Sequence, residues 1–191
     1  MNPKAGGFTL IELIVGVSAS LIILLGTLHI LSLTRIALDS GGNRAEATQN
    51  ARIALERISR DLRQAEDLLT NLPTTSSDPF LPPPSEIEFQ DGHDPESLTY
   101  LRYHVLEDIL YREESYYAFP SAPAVRVPHN ILDANGNPPI KTLVQDLIVA
   151  EGLVALSFWG EEDIHISIEV NRGSARVISS TRVFGRNFTG T

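Results

Sequence analysis

Glu12 is the side chain whose position demands a chemical explanation. It is the only charge in the stretch 8–33, where 17 of 26 residues are hydrophobic. A carboxylate carried into a membrane helix is costly and is usually paired. Glu12 therefore either stays near the interface or meets a cation from another molecule. The remaining polar residues form no recognisable reaction centre. His93, His104, His129 and His165 fall in different predicted elements. The sequence contains no Gly-x-Ser-x-Gly elbow, no His-Glu-x-x-His helix and no phosphate-cradling glycine loop. Asp133-Ala134-Asn135-Gly136-Asn137 looks superficially like a calcium loop, but its glycine comes too early and no closing glutamate follows. Turn chemistry is the better expectation there. Glu86 and Glu88 share a face if their segment is extended, an arrangement that suits acid–base work but more often faces solvent. Trp159, Phe158, Tyr116 and Tyr117 are expected in the core or at sheet edges. The reading is a non-enzyme with no catalytic residues, no metal ligands and no cofactor. With no cysteine, disulfides, thiol catalysis and cysteine-bound zinc or iron–sulfur centres are excluded.

The elements that position Glu12 follow from composition. The chain has 191 residues, 42% hydrophobic and 20% charged, which excludes wholesale disorder and suits one domain plus an appendage. As a helix, 8–33 would extend about 39 Å, more than the ~30 Å hydrocarbon core of a bilayer. A cleaved secretory signal has an apolar run of only ~7–15 residues and a small-x-small cleavage site. This run is longer, and Ser32-Leu33-Thr34 is a poor site. Gly16, Ser18, Ser20 and Gly26 are small enough for close helix approach, with Gly16-x-x-x-Ser20 a small-xxx-small pair. His29 is expected at the far interface.

The sequence Gly6-Gly7-Phe8-Thr9-Leu10-Ile11-Glu12-Leu13-Ile14-Val15 closely resembles the processing site of type IV prepilins and type II secretion pseudopilins. The resemblance implies a leader, 1–7, removed by a prepilin peptidase that cuts after Gly7 and N-methylates Phe8. The new amine would be cationic, and Glu12 lies just over one turn beyond it. Side-by-side helices with a small axial stagger could place the amine of an incoming subunit beside its neighbour's Glu12. In lipid, breaking such a pair would leave two uncompensated charges. Basic residues do not set the orientation, because Lys4 precedes the run and Arg35, Arg44 and Arg52 follow it. The resemblance implies a single pass of the inner (cytoplasmic) membrane with the N-terminus inside and the head outside, followed by incorporation into a filament.

Downstream, 34–72 is expected to form an amphipathic helical stalk. Ala51, Ala54, Leu55, Ile58, Leu62, Ala65 and Leu69 make one stripe, and the Arg/Glu run beside it reads as a solvated face. Gly41-Gly42 costs roughly 1 kcal/mol per glycine relative to alanine, so a kink or melting point is expected there. Pro73 would end the helix. The part 73–191 reads as a proline-rich connector and an antiparallel β head. Ile164, Ile166, Ile168 and Val170 alternate with polar residues, and further strands are expected at 86–90, 97–106, 108–117, 153–159 and 176–184. The stretch 120–139 reads as proline-rich turns. The fold class is α+β, a pilin-like helix packed on an antiparallel sheet.

The helix sequence 50–65 also looks like that of W-type minor pilins and J-type minor pseudopilins, and 181–187 is similar to their C-terminal strand. Glu66 stands where W-type chains often carry glycine. Many major pilins close a disulfide loop, which this chain cannot make. The resemblance therefore implies a minor subunit that initiates, caps or modifies a type IV pilus or type II pseudopilus. Its partners would be other pilin or pseudopilin subunits, the prepilin peptidase/methyltransferase, the inner-membrane assembly machinery and the lipid bilayer. One rival is a membrane-tethered extracytoplasmic enzyme or ligand-binding domain. Another is a minor pilin for DNA uptake. A net charge of −9 argues against a general grip on nucleic acid, leaving Arg172, Arg176, Arg182 and Arg186 as a candidate local patch.

Overall fold

The computed structural model describes residues 9–93 and 97–185. Among these residues the fold is α+β: helix α1 (Leu10–Gln64) precedes nine antiparallel strands in two sheets. The strands are β1 (Ala65–Leu68), β2 (Ile87–Asp91), β3 (Thr99–Leu106), β4 (Ile109–Phe119), β5 (Ala122–Val127), β6 (Ile140–Glu151), β7 (Leu153–Trp159), β8 (Asp163–Arg172) and β9 (Ala175–Phe184). The larger sheet runs β1-β2-β3-β4-β5, with β6 paired to β4; the smaller runs β7-β8-β9. The chain divides into two compact units at Gly42/Asn43, the place where paired glycines suggested a weak point. α1 keeps its helical assignment through both glycines.

In the first unit every described residue, 9–42, is exposed. Leu13, Ile14, Ile22, Ile23 and Leu25 all stand more than half open, an apolar surface that water-soluble monomers rarely expose. α1 is long and apolar enough in its N-terminal part to cross a membrane. Three of its hydroxyls would suit that medium. Ser20, Thr27 and Thr34 each donate to the carbonyl four residues earlier, at 2.8, 2.8 and 2.9 Å, so they are satisfied within the helix.

In the second unit, Ala47, Ala51, Ala54, Ile58 and Leu62 form the buried stripe of α1. The three alanines at the start of the stripe keep side-chain bulk low where the helix meets its neighbours. Ile87, Phe89, Leu101, Tyr103 and Leu110 of the large sheet and Leu156, Phe158, Ile164, Ile166, Ile168 and Val170 of the small sheet complete the core. The alternation expected for 164–170 is that of β8, whose isoleucines are buried while Ser167 and Glu169 are not.

Three expectations are corrected. The helix ends at Gln64 rather than near residue 72, and 65–68 is strand β1. Gly92 N–H donates to Gln64 O at 3.1 Å, taking up a carbonyl that a further turn would have used. A side chain at Gly92 would collide with that oxygen. β1 then pairs with β2, Leu68 opposite Phe89, so sheet contacts override a helical pattern that continues through Ala65 and Leu69. Within the stretch read as turns, β5 pairs antiparallel with the C-terminal end of β4, residues Tyr117–Phe119. β6 was not expected at all, and it pairs along nearly the whole of β4.

Candidate assembly site

The start of α1 is built around Glu12. Thr9 N–H and Thr9 Oγ1–H both donate to Glu12 Oε2 at 2.9 Å, and Glu12 N–H donates to Thr9 Oγ1 at 3.3 Å. This is a reciprocal capping box, Thr9 as N-cap and Glu12 as its N3 partner, satisfying backbone donors that the first helical turn would leave open. The Thr-x-x-Glu spacing carries that signal in the sequence, and the role of Thr9 was missed there. Glu12 is exposed, so the carboxylate is positioned yet accessible.

The helix period places Gly16 and Ser20 four and eight residues beyond Glu12, on the same side. Glu12, Leu13, Gly16, Val17, Ser20, Leu21 and Leu24 line a trough of about 530 Å³. Gly16 leaves open space where a Cβ would stand, and Ser20 folds its hydroxyl back onto Gly16 O at 2.8 Å. The result is a low, apolar strip ending in a carboxylate, a shape that accepts a second apolar helix closely and a cation at one end. Gly7 and Phe8, the expected cleavage and methylation positions, lie outside the described residues.

The other candidate residues are dispersed, and most of them are engaged. His104 stacks on Tyr111 and His165 on Trp159, with ring centroids 5.6 and 5.4 Å apart. His129 lies edge-on to Tyr100, and His93 sits on an exposed turn. Glu86 pairs with Arg102, and Glu88 with Lys141 at 2.7 Å. Burial, then the charge of Glu88, pushes the Tyr117 hydroxyl up to about 12. The Asp133 carboxylate accepts from the N–H groups of Asn135 and Asn137 and from the Asn137 amide. It closes its own turn. Arg172, Arg176 and Arg182 are held by Glu46, Glu169 and Asp163 at 2.7–2.8 Å; Arg186 lies outside the described residues.

A buried charge cluster in the second unit had no counterpart in the sequence reading. Asp61 Oδ2 accepts from Arg112 Nε at 2.8 Å and from Tyr103 Oη at 2.7 Å, with Arg57 Nε at 3.6 Å. The Arg/Glu run is solvated at Arg52 and Glu56, but Asp61 turns inward. Its spacing of three from Ile58 put it on the edge of the buried stripe. Burial, reinforced by the Asp61 charge, raises the Tyr103 hydroxyl far above its ordinary range, so Tyr103 stays a donor.

Asp91 gives a pH test of the same region. Burial first, and the Asp61 charge among lesser causes, raise its carboxyl above the ordinary 3.8. A raised acid binds its proton more tightly in the folded state, so stability is lost as pH climbs through the folded value. Asp91→Asn keeps an oxygen for the His93 N–H that Asp91 Oδ1 now accepts. It is expected to raise the melting temperature at pH 7, with the gain vanishing below about pH 3.8, measured by thermal melts across that range.

No protein-family model matches the chain, and no curated protein matches it.

Proposed function

We propose that this chain is a minor subunit of a type IV pilus or type II secretion pseudopilus, cut after Gly7, methylated on Phe8 and held in the membrane by α1 until it is assembled. One observation carries the reading. The run Gly6-Gly7-Phe8-Thr9-Leu10-Ile11-Glu12 leads into an exposed apolar helix whose only charge through residue 33 is Glu12, at the end of the Gly16/Ser20 trough. In this reading the trough receives a neighbouring subunit's helix, and Glu12 receives that subunit's terminal amine. An uncompensated carboxylate would be disfavoured there, so assembly supplies the counter-charge. The second unit then works outside the cytoplasm as a contact surface for other subunits.

The test is the mass of the full-length chain recovered from membranes of cells that hold the processing peptidase. The expected species begins at Phe8 and carries one added methyl group. A chain that retains 1–7 in such cells is a tethered domain instead.

A further inference from the structure

We propose that the groove between α1 and β9 binds an extended acidic segment of a different polypeptide, which adds a strand to the small sheet and sets its carboxylates on Arg60 and Arg63. β9 is an end strand, paired with β8 alone among the described residues. In an antiparallel pair every second residue turns both its N–H and its C=O away from the partner. β9 therefore keeps a row of open donors and acceptors along its outer edge, the template on which an added strand forms. The groove beside it has a volume of about 380 Å³ and takes in Arg52, Glu56, Arg60 and Arg63 of α1 with Ser180 and Thr181 of β9. Successive residues of a strand point to opposite faces, so a groove that touches both Ser180 and Thr181 meets β9 edge-on.

Charge names the occupant. Arg60 and Arg63 are exposed, and neither has an ion pair among the described residues. Arg57, Arg102, Arg112 and the arginines of β8 and β9 are all paired. Arg52 is held by Glu56 of its own helix at 2.8 Å, which leaves two open cations in one groove of a chain whose net charge is −9. Residues three apart on a helix have Cβ atoms about 5–6 Å apart, and same-face neighbours on a strand stand ~6.7 Å apart. Acids at alternate positions of an extended segment can thus reach both guanidinium groups, each of which suits a carboxylate through two parallel N–H bonds. A grip on nucleic acid would need a longer run of open cations.

A second copy does not supply such a segment among its described edge strands. β1 bears Glu66 and Asp67, but it has four residues and a bulge, and Glu66 already accepts from the Gln90 amide at 2.7 Å. β5 and β7 carry no acid. The acids of β6, Asp146 and Glu151, stand well apart, opposite Glu113 and Ile109 of β4. The partner is therefore a different chain, in keeping with a minor subunit whose contacts do not repeat from copy to copy. This docking deepens the filament reading and rests on it for one point, that another subunit is held alongside.

The test places a diazirine amino acid at position 180 of the full-length chain, in the cells that make it, and sequences the peptide captured on illumination. The expected adduct joins position 180 to a segment of a different polypeptide with acids at alternate positions. In the purified adduct, alternate amides of β9 should exchange at least tenfold more slowly than in the free chain. R60E combined with R63E should lower the yield tenfold or more, and R60Q combined with R63Q severalfold. Both arginines are exposed and without ion pairs among the described residues, so an unchanged melting temperature shows that neither double variant acts through folding. An adduct with a second copy or with nucleic acid, β9 amides that exchange as before, or a yield indifferent to both double variants overturns the proposal. The same diazirine at position 16 reports contact between the apolar segments. If position 16 captures another subunit while position 180 captures nothing, the docking is wrong and the filament reading stands. Failure at both positions counts against both.

Discussion

Replacing Glu12 by alanine is expected to leave the chain in the membrane and to cut its recovery in sheared filaments at least tenfold. Insertion depends on the apolar run, and removing a carboxylate from it only favours lipid. Assembly is different. An incoming subunit whose terminal amine finds no carboxylate carries an uncompensated cation into a low-dielectric environment, where loss of one partner of an ion pair is severe. The capping box sharpens the experiment. Alanine removes both the charge and the bond to Thr9 N–H, whereas glutamine can still serve in a Thr-x-x-Gln box. Glu12→Gln should therefore restore the helix start and still fail to assemble. The ratio of filament-bound to membrane-bound chain, measured for the three forms, separates the roles. Normal recovery of the glutamine form would reduce Glu12 to a cap.

Asp61→Ala is expected to be the most damaging single change in the second unit. It leaves Arg112, whose side chain is 10% exposed, without its closest acceptor, and removes the acceptor of Tyr103 Oη. Breaking a buried pair from one side costs about 3–5 kcal/mol, which for a domain of this size lowers the melting temperature by roughly 10 °C or more. The cost lies mainly in the orphaned charge. The double variant Asp61→Leu with Arg112→Met should therefore recover much of the loss, since replacing both partners by apolar groups is often neutral. Thermal melts of the membrane-extracted chain decide it. A double variant no better than the single would place the cost in packing instead.

How far the sequence reveals this molecule depends on how local each determinant is. The apolar run, the Glu12 position and the Gly16/Ser20 spacing are one-helix properties, and all are legible in a short window. So is the alternation at 164–170, because β8 is the middle strand of its sheet with one face buried. β1 was hidden because Ala65-Glu66-Asp67-Leu68 continues a helical stripe, and only Gly92 and the β2 strand, distant in sequence, end it. β6 was hidden for another reason. Ile140, Leu143, Val144, Leu147 and Ile148 are all substantially exposed on an edge strand with two bulges in its pairing, so no clean period of two survives. The Asp61–Arg112 pair spans 51 residues; an acid beside a buried stripe signals that a partner is needed without saying which.

The pairing proposed for Glu12 is tested most directly by an apolar carbodiimide, which joins a carboxylate to an amine already touching it and adds no spacer. Applied to assembled filaments and followed by peptide mass analysis, it should yield a Glu12 peptide linked by an amide to the N-terminal residue of a separate subunit. Glu12 recovered without any such link, from chains whose own sequence still begins before Phe8, would contradict the account.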